Sequence, residues 1–251
     1  MKGELGRFPL HITIYYTIFK YFLRIINLSE NKILRSALET NIQLDRSGKH
    51  SWFTIIKHLL HLTKLDKSIM DLPNFDKNKI SFTTNLFRKN LIKHYQTYWF
   101  KILEKGQSVR SESNKLSLYN ELKNEFRFEP YLTNIKSVDQ RVAVTKLRIS
   151  CHPLPIETGR YKKIPRDQRF CPLCNKSCIG DELHCLMECS HPSIASLREN
   201  FLERLFIVNN DFRKFTFKAL LIYILAMCDV NIISLSSQYI DYFLKLYVIN
   251  M

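Results

Sequence analysis

The chain has 251 residues, enough for one large domain or two small ones, and 45% of them are apolar, so we expect a packed core. Only six are glycines, which argues against a many-stranded sheet joined by tight turns. Lysine and arginine outnumber aspartate and glutamate by 38 to 23, and the resulting net charge of +15 favours polyanionic partners.

Apolar residues at helical spacing predict three helices at the start of the chain. The first follows Pro9 and covers residues 12–26, and the second covers residues 31–44. The third begins after Ser51, a residue type that caps helix N-termini. We therefore predict an N-terminal helical region over residues 1–63.

No apolar run has the length of a membrane span. Lys20 and Arg24 interrupt the first run, and Asp229 stops the run at residues 219–228. No secretory signal is visible, and the odd count of seven cysteines favours metal binding in a reducing compartment over disulfides. We expect an intracellular protein, in the nucleus or the cytoplasm, without a membrane partner.

The central region, residues 64–150, begins with a charged connector at residues 64–79 and is otherwise helical. A polar stretch at residues 106–113 should end its longest helix. The predicted helices cover residues 83–103, 115–126 and 138–149.

The last two predicted regions are residues 151–190, a basic arm with a cysteine cluster, and residues 191–251, which are helical. Three prolines and a glycine make a regular element unexpected in residues 151–170. Helices are predicted at residues 193–206, 212–227 and 233–248. The predicted fold class is mainly α: a helical array with a small zinc knuckle inserted before the C-terminal helices.

Five of the seven cysteines lie in the nineteen residues CPLCNKSCIGDELHCLMEC. Cys171, Cys174, His184 and Cys189 have the spacing C-x2-C-x9-H-x4-C, and three thiolates with one imidazole form an ordinary tetrahedral Zn²⁺ site. Four protein ligands leave no open position for an activated water, so the site is predicted to be structural.

Several alternatives to this quartet stay open. Cys178 or His191 would also serve as ligands, and buried thiols without a metal would produce the same cluster. A zinc nucleobase deaminase is excluded because it needs an H-x-E motif upstream of P-C-x-x-C, and the chain has no H-x-E.

A basic run precedes the cluster. Residues 141–170 carry eight cations against Glu157 and Asp167, and aromatic residues are interleaved with them, which suits contact with phosphates and bases. A solvated charged face would have the same composition. The candidate nucleic-acid-binding residues are Arg148, Arg160, Tyr161, Lys162, Lys163, Arg166 and Arg169.

The segment TKLRISCHPLPIETGRYKKIPRDQRFCPLCNKSCIGDELHCLMEC, residues 145–189, resembles the C-terminal part of non-LTR (LINE-type) retrotransposon reverse transcriptases. The stretches GELGRFPL and KLSLYNELKNEFRFEPYLTNI resemble it as well, and the resemblance extends to about residue 207. It implies a helical linker and a zinc knuckle that lie downstream of the polymerase core and contact RNA or DNA.

The polymerase itself is not expected in this chain, because its catalytic motif needs two adjacent aspartates and the sequence has no Asp-Asp pair. We therefore predict a non-catalytic segment that binds RNA or DNA through the zinc knuckle and the basic arm, with a separate reverse transcriptase core as a possible partner. The alternatives are a zinc-stapled helical protein-interaction module, a non-functional element remnant and, least favoured, a nuclease. The sequence leaves the oligomeric state open.

Overall fold

The protein is mainly helical, as the sequence predicts. A computed structural model describes residues 3–29, 32–65, 79–108, 115–174, 176–226 and 229–250. Within these ranges no strand is formed, and extended pairing is limited to two isolated bridges, Leu5 with Phe128 and Phe170 with Ile179. The chain divides into an N-terminal unit, Arg7–Lys101, and a C-terminal unit that comprises Gly3–Gly6 and Ile102–Met251.

The described residues of the N-terminal unit form three helices and most of a fourth. They are α1 (Leu10–Ile26), α2 (Ile33–Arg46), α3 (Trp52–Thr63) and α4 (Ile80–Ser108), of which α4 continues past the boundary of the unit. Ser51 caps α3 in a capping box with Thr54, as its residue type predicts. The core is rich in aromatic residues, and the rings of Phe19 and Phe87 stack with their centroids 3.8 Å apart.

The C-terminal unit has one continuous hydrophobic core that includes the cysteine cluster. Its helices are α5 (Ser117–Leu122), α6 (Tyr131–Asn134), α7 (Val138–Arg148), α8 (Pro155–Tyr161), α9 (Pro192–Val208), α10 (Phe217–Ala226) and α11 (Val230–Ile249), with 3₁₀ turns at Arg166–Gln168 and Asn210–Lys214 and a π-turn at His184–Glu188. The central element is α11, which packs against both α7 and α9 and buries residues on most of its surface.

Two local predictions differ from the structure. Residues 151–170 were expected to be irregular, but they contain α8, because Pro155 occupies the first turn of the helix, where its missing N–H is harmless. Residues 106–113 were expected to end the long helix, yet α4 continues through Gly106 to Ser108. Residues 109–114 and most of the predicted connector, residues 66–78, lie outside the described ranges.

No single helix in the described ranges is long and apolar enough to cross a membrane. Helices α10 and α11 meet that length and composition only as a pair, and they are bent by 106° relative to each other. The division into four regions that the sequence suggests stays a prediction.

Candidate metal centre and adjacent basic loop

The four residues of the predicted quartet come together in the core of the C-terminal unit. The ligand atoms of Cys171, Cys174, His184 and Cys189 all lie within 4.8 Å of one another, and all four residues are buried. The Sγ atoms of Cys171 and Cys189 are 3.9 Å apart, and Cys174 Sγ is 3.3 Å from His184 Nε2. A tetrahedral zinc site places two thiolate sulfurs about 3.8 Å apart. The cluster can therefore hold a metal ion.

Local backbone structure brings the two halves of the quartet together. An antiparallel bridge between Phe170 and Ile179, with the amide of Cys171 donating to the carbonyl of Cys178 (2.9 Å), closes the first half into a tight loop. In the second half, Asp181 Oδ1 accepts a hydrogen bond from the amide of His184 (2.9 Å) and so starts a helical turn. That turn is a π-turn, which ends at Glu188 and brings Cys189 beside Cys171.

The thiols of the cluster differ in acidity because they share one buried site. A hydrogen bond from the Cys185 thiol is the main cause that lowers the pKa of Cys171 from 9.0 to about 4. Burial and the nearby Cys171 charge raise the pKa of Cys189 to about 12. The pKa of Cys185 is raised, chiefly because it donates to Cys171 and is buried. Cys171 therefore forms a thiolate readily, and a bound cation would offset the charge that opposes a second thiolate at Cys189.

The turn that carries His184 is connected to the C-terminal helices by hydrogen bonds. Tyr239 of α11 donates from its hydroxyl to the carbonyl of Leu186, and Arg198 of α9 donates to the carbonyl of Cys189 (2.8 Å). Cys185 also lies in the shared core, as expected for a buried free cysteine. Cys178 is only partly buried, and neither it nor His191 belongs to the quartet that converges.

A short cationic segment, residues 162–170, connects α8 to the cluster, and we call it the basic loop. It begins with a helix-ending motif in which the Ile164 amide donates to the carbonyl of Gly159 (2.9 Å) and Lys163 adopts a left-handed conformation with φ of 57°. Lys162, Lys163 and Arg166 are exposed. At the end of α8, Tyr161 is 66% exposed.

The last residues of α8 join an aromatic face to a cation. The Arg160 guanidinium lies 4.4 Å from the centre of the Tyr161 ring, and it also pairs with Glu157 at 3.0 Å. Burial keeps the pKa of Glu157 above its ordinary value, even though Arg160 opposes that shift. This helix end therefore carries an exposed ring and two exposed lysines beside a partly buried guanidinium, within four consecutive residues.

Arg169 attaches the basic loop to α8. Its side chain is buried, and it donates to the carbonyls of Ile164 (2.8 Å) and Ile156 (2.9 Å). Gly159 leaves the space for it, because a Cβ at that position would lie 2.7 Å from Arg169 Cγ. The amide of Gly180 donates to the Arg169 carbonyl (2.8 Å), so the loop, α8 and the metal-binding segment are linked directly.

Two of the seven predicted nucleic-acid contacts depart from the expectation. Arg169 is buried as described above, and Arg148 has no exposed surface at all. The Arg148 guanidinium donates to Glu4 Oε2 and to Glu129 Oε2, each at 3.0 Å. Because both guanidinium groups are turned inward and engaged by protein acceptors, neither is available to a phosphate, and both are left out of the interface proposed below.

The pair of His152 and Glu182 was missed by sequence reasoning. His152 Nε2 lies 2.9 Å from Glu182 Oε1, and the imidazole is buried, so the segment that precedes α8 contacts the turn that carries His184. Burial would raise the pKa of Glu182, but the contact with His152 outweighs it and lowers that pKa. Thirty residues separate the two, and no local pattern connects positions so far apart.

No protein-family model, curated protein or solved structure matches this chain. A function for it is therefore inferred from its own residues and their geometry.

Proposed function

We propose that this chain is a non-catalytic nucleic-acid-binding segment in which a Zn²⁺ ion, held by Cys171, Cys174, His184 and Cys189, fixes the basic loop in a phosphate-binding position. The proposed ligand is RNA or DNA. The resemblance of residues 145–189 to retrotransposon reverse transcriptases motivates the proposal of descent from such an element, and a reverse transcriptase core is the proposed protein partner.

One observation carries this proposal: the segment that contains the metal-binding quartet is hydrogen-bonded to the basic loop and to α8. Gly180, six residues after Cys174, donates to the basic loop at Arg169 and accepts from α8 at the amide of Ile156 (3.1 Å). A metal that orders the quartet thus also orders the segment that presents Lys162 and Lys163. Ordering before binding reduces the entropic cost of binding.

Zinc fits this donor set better than other common metals. Three thiolates and one imidazole in a tetrahedron favour zinc, whereas calcium and magnesium need oxygen ligands. All four ligands are buried side chains of the protein, which is typical of a structural site. The proposed role of the ion is therefore to stabilise the fold and not to carry out a reaction.

The conformation of Lys163 also supports binding by the basic loop. Glycine is the usual residue in this left-handed position, because a Cβ there costs about 1–2 kcal/mol. Lysine at this position lowers stability, and a role in phosphate binding would account for its presence. We expect Lys163→Gly to leave the free energy of unfolding undiminished while it weakens binding to nucleic acid.

The test combines metal analysis with a salt titration. The purified chain should contain one zinc per molecule, and Cys174→Ser should lose it while Cys178→Ser keeps it. Replacing Lys162, Lys163 and Arg166 with Ser should lower the slope of log affinity against log salt by about 2–3, for RNA or DNA measured by fluorescence anisotropy. The matched control removes three other exposed cations of the same unit, Lys136, Lys214 and Lys218.

Two results would count against the proposal. A chain that contains zinc but binds nucleic acid equally well with and without the three loop cations would be a zinc-stapled helical module whose loop has another role. A chain that is folded and free of zinc would contradict the metal assignment itself.

A further inference from the structure

The N-terminal unit carries most of the net charge of the protein. Between Arg7 and Lys101 the sequence has sixteen lysines and arginines against six aspartates and glutamates, a balance of +10 out of +15. The basic loop lies in the other unit. The larger share of the electrostatic attraction for a polyanion therefore comes from residues that the proposed function does not use.

Helix α4 concentrates this charge on one face. From Ile80 to Leu103 it contains no aspartate or glutamate, but it has four cations and His94. Arg88, Lys89 and Lys93 are exposed. Lys89 and Lys93 are neighbours at a spacing of four residues, and with Arg88 they lie within an arc of about 140° around the helix axis. The opposite side buries Phe87 and Leu91 in the core, so the cationic face is turned toward solvent.

Neighbouring helices extend this face. Lys20 of α1 and Arg88 lie 5.7 and 5.4 Å from the ring centre of Tyr16, so the two cations share one aromatic ring. Among the described residues of this unit the ion pairs are Arg35 with Glu39 and Lys57 with Asp45. Within that part of the chain, Lys20 and the cations of α4 thus have no carboxylate partner.

A recess opens where the end of α3 meets the middle of α4. Its volume is about 310 Å³, and its lining includes Lys64, Lys93, His94 and Thr97 but no carboxylate. Asn90 donates from its amide to the carbonyl of Thr63 (2.9 Å), which holds the two helices together at the recess. The recess provides two ammonium groups, an imidazole and a hydroxyl, which are the donors that bind phosphate.

Lys64 repeats the feature seen at Lys163. It lies in the left-handed conformation at the end of α3, with φ of 57°, where glycine is the usual residue. Its amide and that of Leu65 donate back into the last turn of the helix. A lysine that is unfavourable for the backbone therefore lines the recess in the N-terminal unit, just as one begins the basic loop in the C-terminal unit.

We infer that the face formed by Lys20, Lys64, Arg88, Lys89 and Lys93 is a second nucleic-acid-binding surface, which contacts backbone phosphates and does not depend on the metal centre. This inference rests on the proposed function for the class of ligand, but it shares none of its residues. The surface makes contacts that are independent of base identity, because its donors are cations and not amides arranged against base edges.

Nucleic acid fits this face better than an anionic membrane does. Helices that bind membrane surfaces insert exposed apolar side chains between the lipids, and the apolar stripe of α4 is used by the core of the unit. On this face the cations are flanked by the polar side chains of Asn85 and Gln96, and Ile92 among them is half-buried. Phe82, which is 69% exposed at the start of the helix, offers a ring on which a base can stack.

The test compares two triple variants of the full, zinc-loaded chain. One replaces Lys64, Lys89 and Lys93 with Gln, and the matched control replaces Lys32, Lys49 and Lys57, three exposed lysines of the same unit outside this face. Binding to a labelled single-stranded RNA and to a DNA duplex is measured over a salt series. We expect the first variant alone to lower the salt slope, by about 2–3, and to weaken binding at low salt about tenfold or more.

Each outcome decides the inference. Equal losses in the two variants would mean that net charge alone attracts the ligand, and that would overturn it. The inference would also be overturned if the variant of Lys64, Lys89 and Lys93 lost binding to phosphatidylserine vesicles while its binding to RNA and DNA stayed unchanged. If the variant of Lys64, Lys89 and Lys93 weakens nucleic-acid binding and the variant of the basic loop does not, the inference stands and the proposed function fails. If only the variant of the basic loop weakens binding, the proposed function stands and the inference fails. Circular dichroism confirms that each variant is folded.

Discussion

At the scale of single residues, side chains of the same charge have opposite roles in different environments. Arg148 and Lys163 both belong to the cationic run of the sequence, but Arg148 is fully buried between two carboxylates and Lys163 is exposed. Burial by itself would raise the pKa of Glu4, but the charge and hydrogen bonds of Arg148, together with Tyr131 and Lys123, outweigh that effect and lower this pKa below 4.5. Arg148 therefore acts as the centre of a buried ionic network.

The network joins distant parts of the C-terminal unit. Glu129 also accepts from Lys123, and the hydroxyl of Tyr131 donates to Glu4 (2.6 Å). Two cations and two carboxylates are thus buried together with no net charge. Removing one partner from such a network leaves a buried charge without compensation, which is much more costly than the loss of a surface pair.

We predict that Arg148→Met lowers the free energy of unfolding by about 3–5 kcal/mol, because Glu4 and Glu129 then lose their shared partner. Urea denaturation measures the change. Arg127→Met is the control, since Arg127 pairs with Glu125 on the surface, and its effect should stay within about 0.5 kcal/mol. Equal effects of the two substitutions would show that the network is not needed for stability.

At the scale of elements, a short helix and a loop act as one piece because Arg169 connects them. A bound arginine presents several donors in a fixed plane, and here two of them reach carbonyls on α8 and on the loop. Lysine has the same charge but a single nitrogen, so it cannot satisfy both carbonyls in the same way. Replacing Arg169 with lysine therefore tests the hydrogen-bonding geometry of this side chain at constant charge.

Arg169→Lys should loosen the basic loop without changing the net charge. We expect faster cleavage by trypsin after Lys162 and Lys163, followed by mass spectrometry, and weaker binding to nucleic acid. Arg166→Lys is the matched control, because Arg166 is exposed, and its cleavage rate at these two sites should equal that of the unmodified chain. An unchanged rate in Arg169→Lys would mean that other contacts hold the loop.

At the scale of the whole molecule, the protein has two hydrophobic cores, and only one of them includes the cysteine cluster. The core of the C-terminal unit contains the three cysteines of the quartet, with His184 buried beside them, while that of the N-terminal unit consists of aromatic and aliphatic side chains. Structural zinc contributes about 10–16 kcal/mol of binding free energy in small peptides, and that free energy also stabilises the fold. Loss of the metal should therefore affect one unit and spare the other.

Removal of zinc by a chelator should lower amide protection in α8, the basic loop and α9, and leave α1–α3 unchanged. Hydrogen exchange followed by mass spectrometry resolves these segments. His184→Ala should reproduce the effect of the chelator, because it removes one of the four ligands. Uniform loss of protection over the whole chain would show that the two cores do not respond separately to the metal.

The sequence alone determined the helical class, most helix positions and the four residues of the quartet. Periodicity and capping are local signals, so Ser51 could be recognised as a cap without any tertiary information. Ligand spacing is also nearly local, because the quartet lies within nineteen residues. Cysteine and histidine at these spacings are typical of a metal site, which is why the quartet could be named before its geometry was known.

Only the tertiary structure decided which cations face solvent. Arg148 contacts Glu4, which lies 144 positions away, and no local pattern relates the two. The cationic face of α4 could not be predicted from the sequence for a related reason. Its charges are spread along the helix, and they form one surface because the opposite side of the helix is buried in the core. Lys20 of α1 and Lys64 at the end of α3 then extend that surface. Burial depends on partners that are distant in the chain, so charge could be counted from the sequence but located only in the fold.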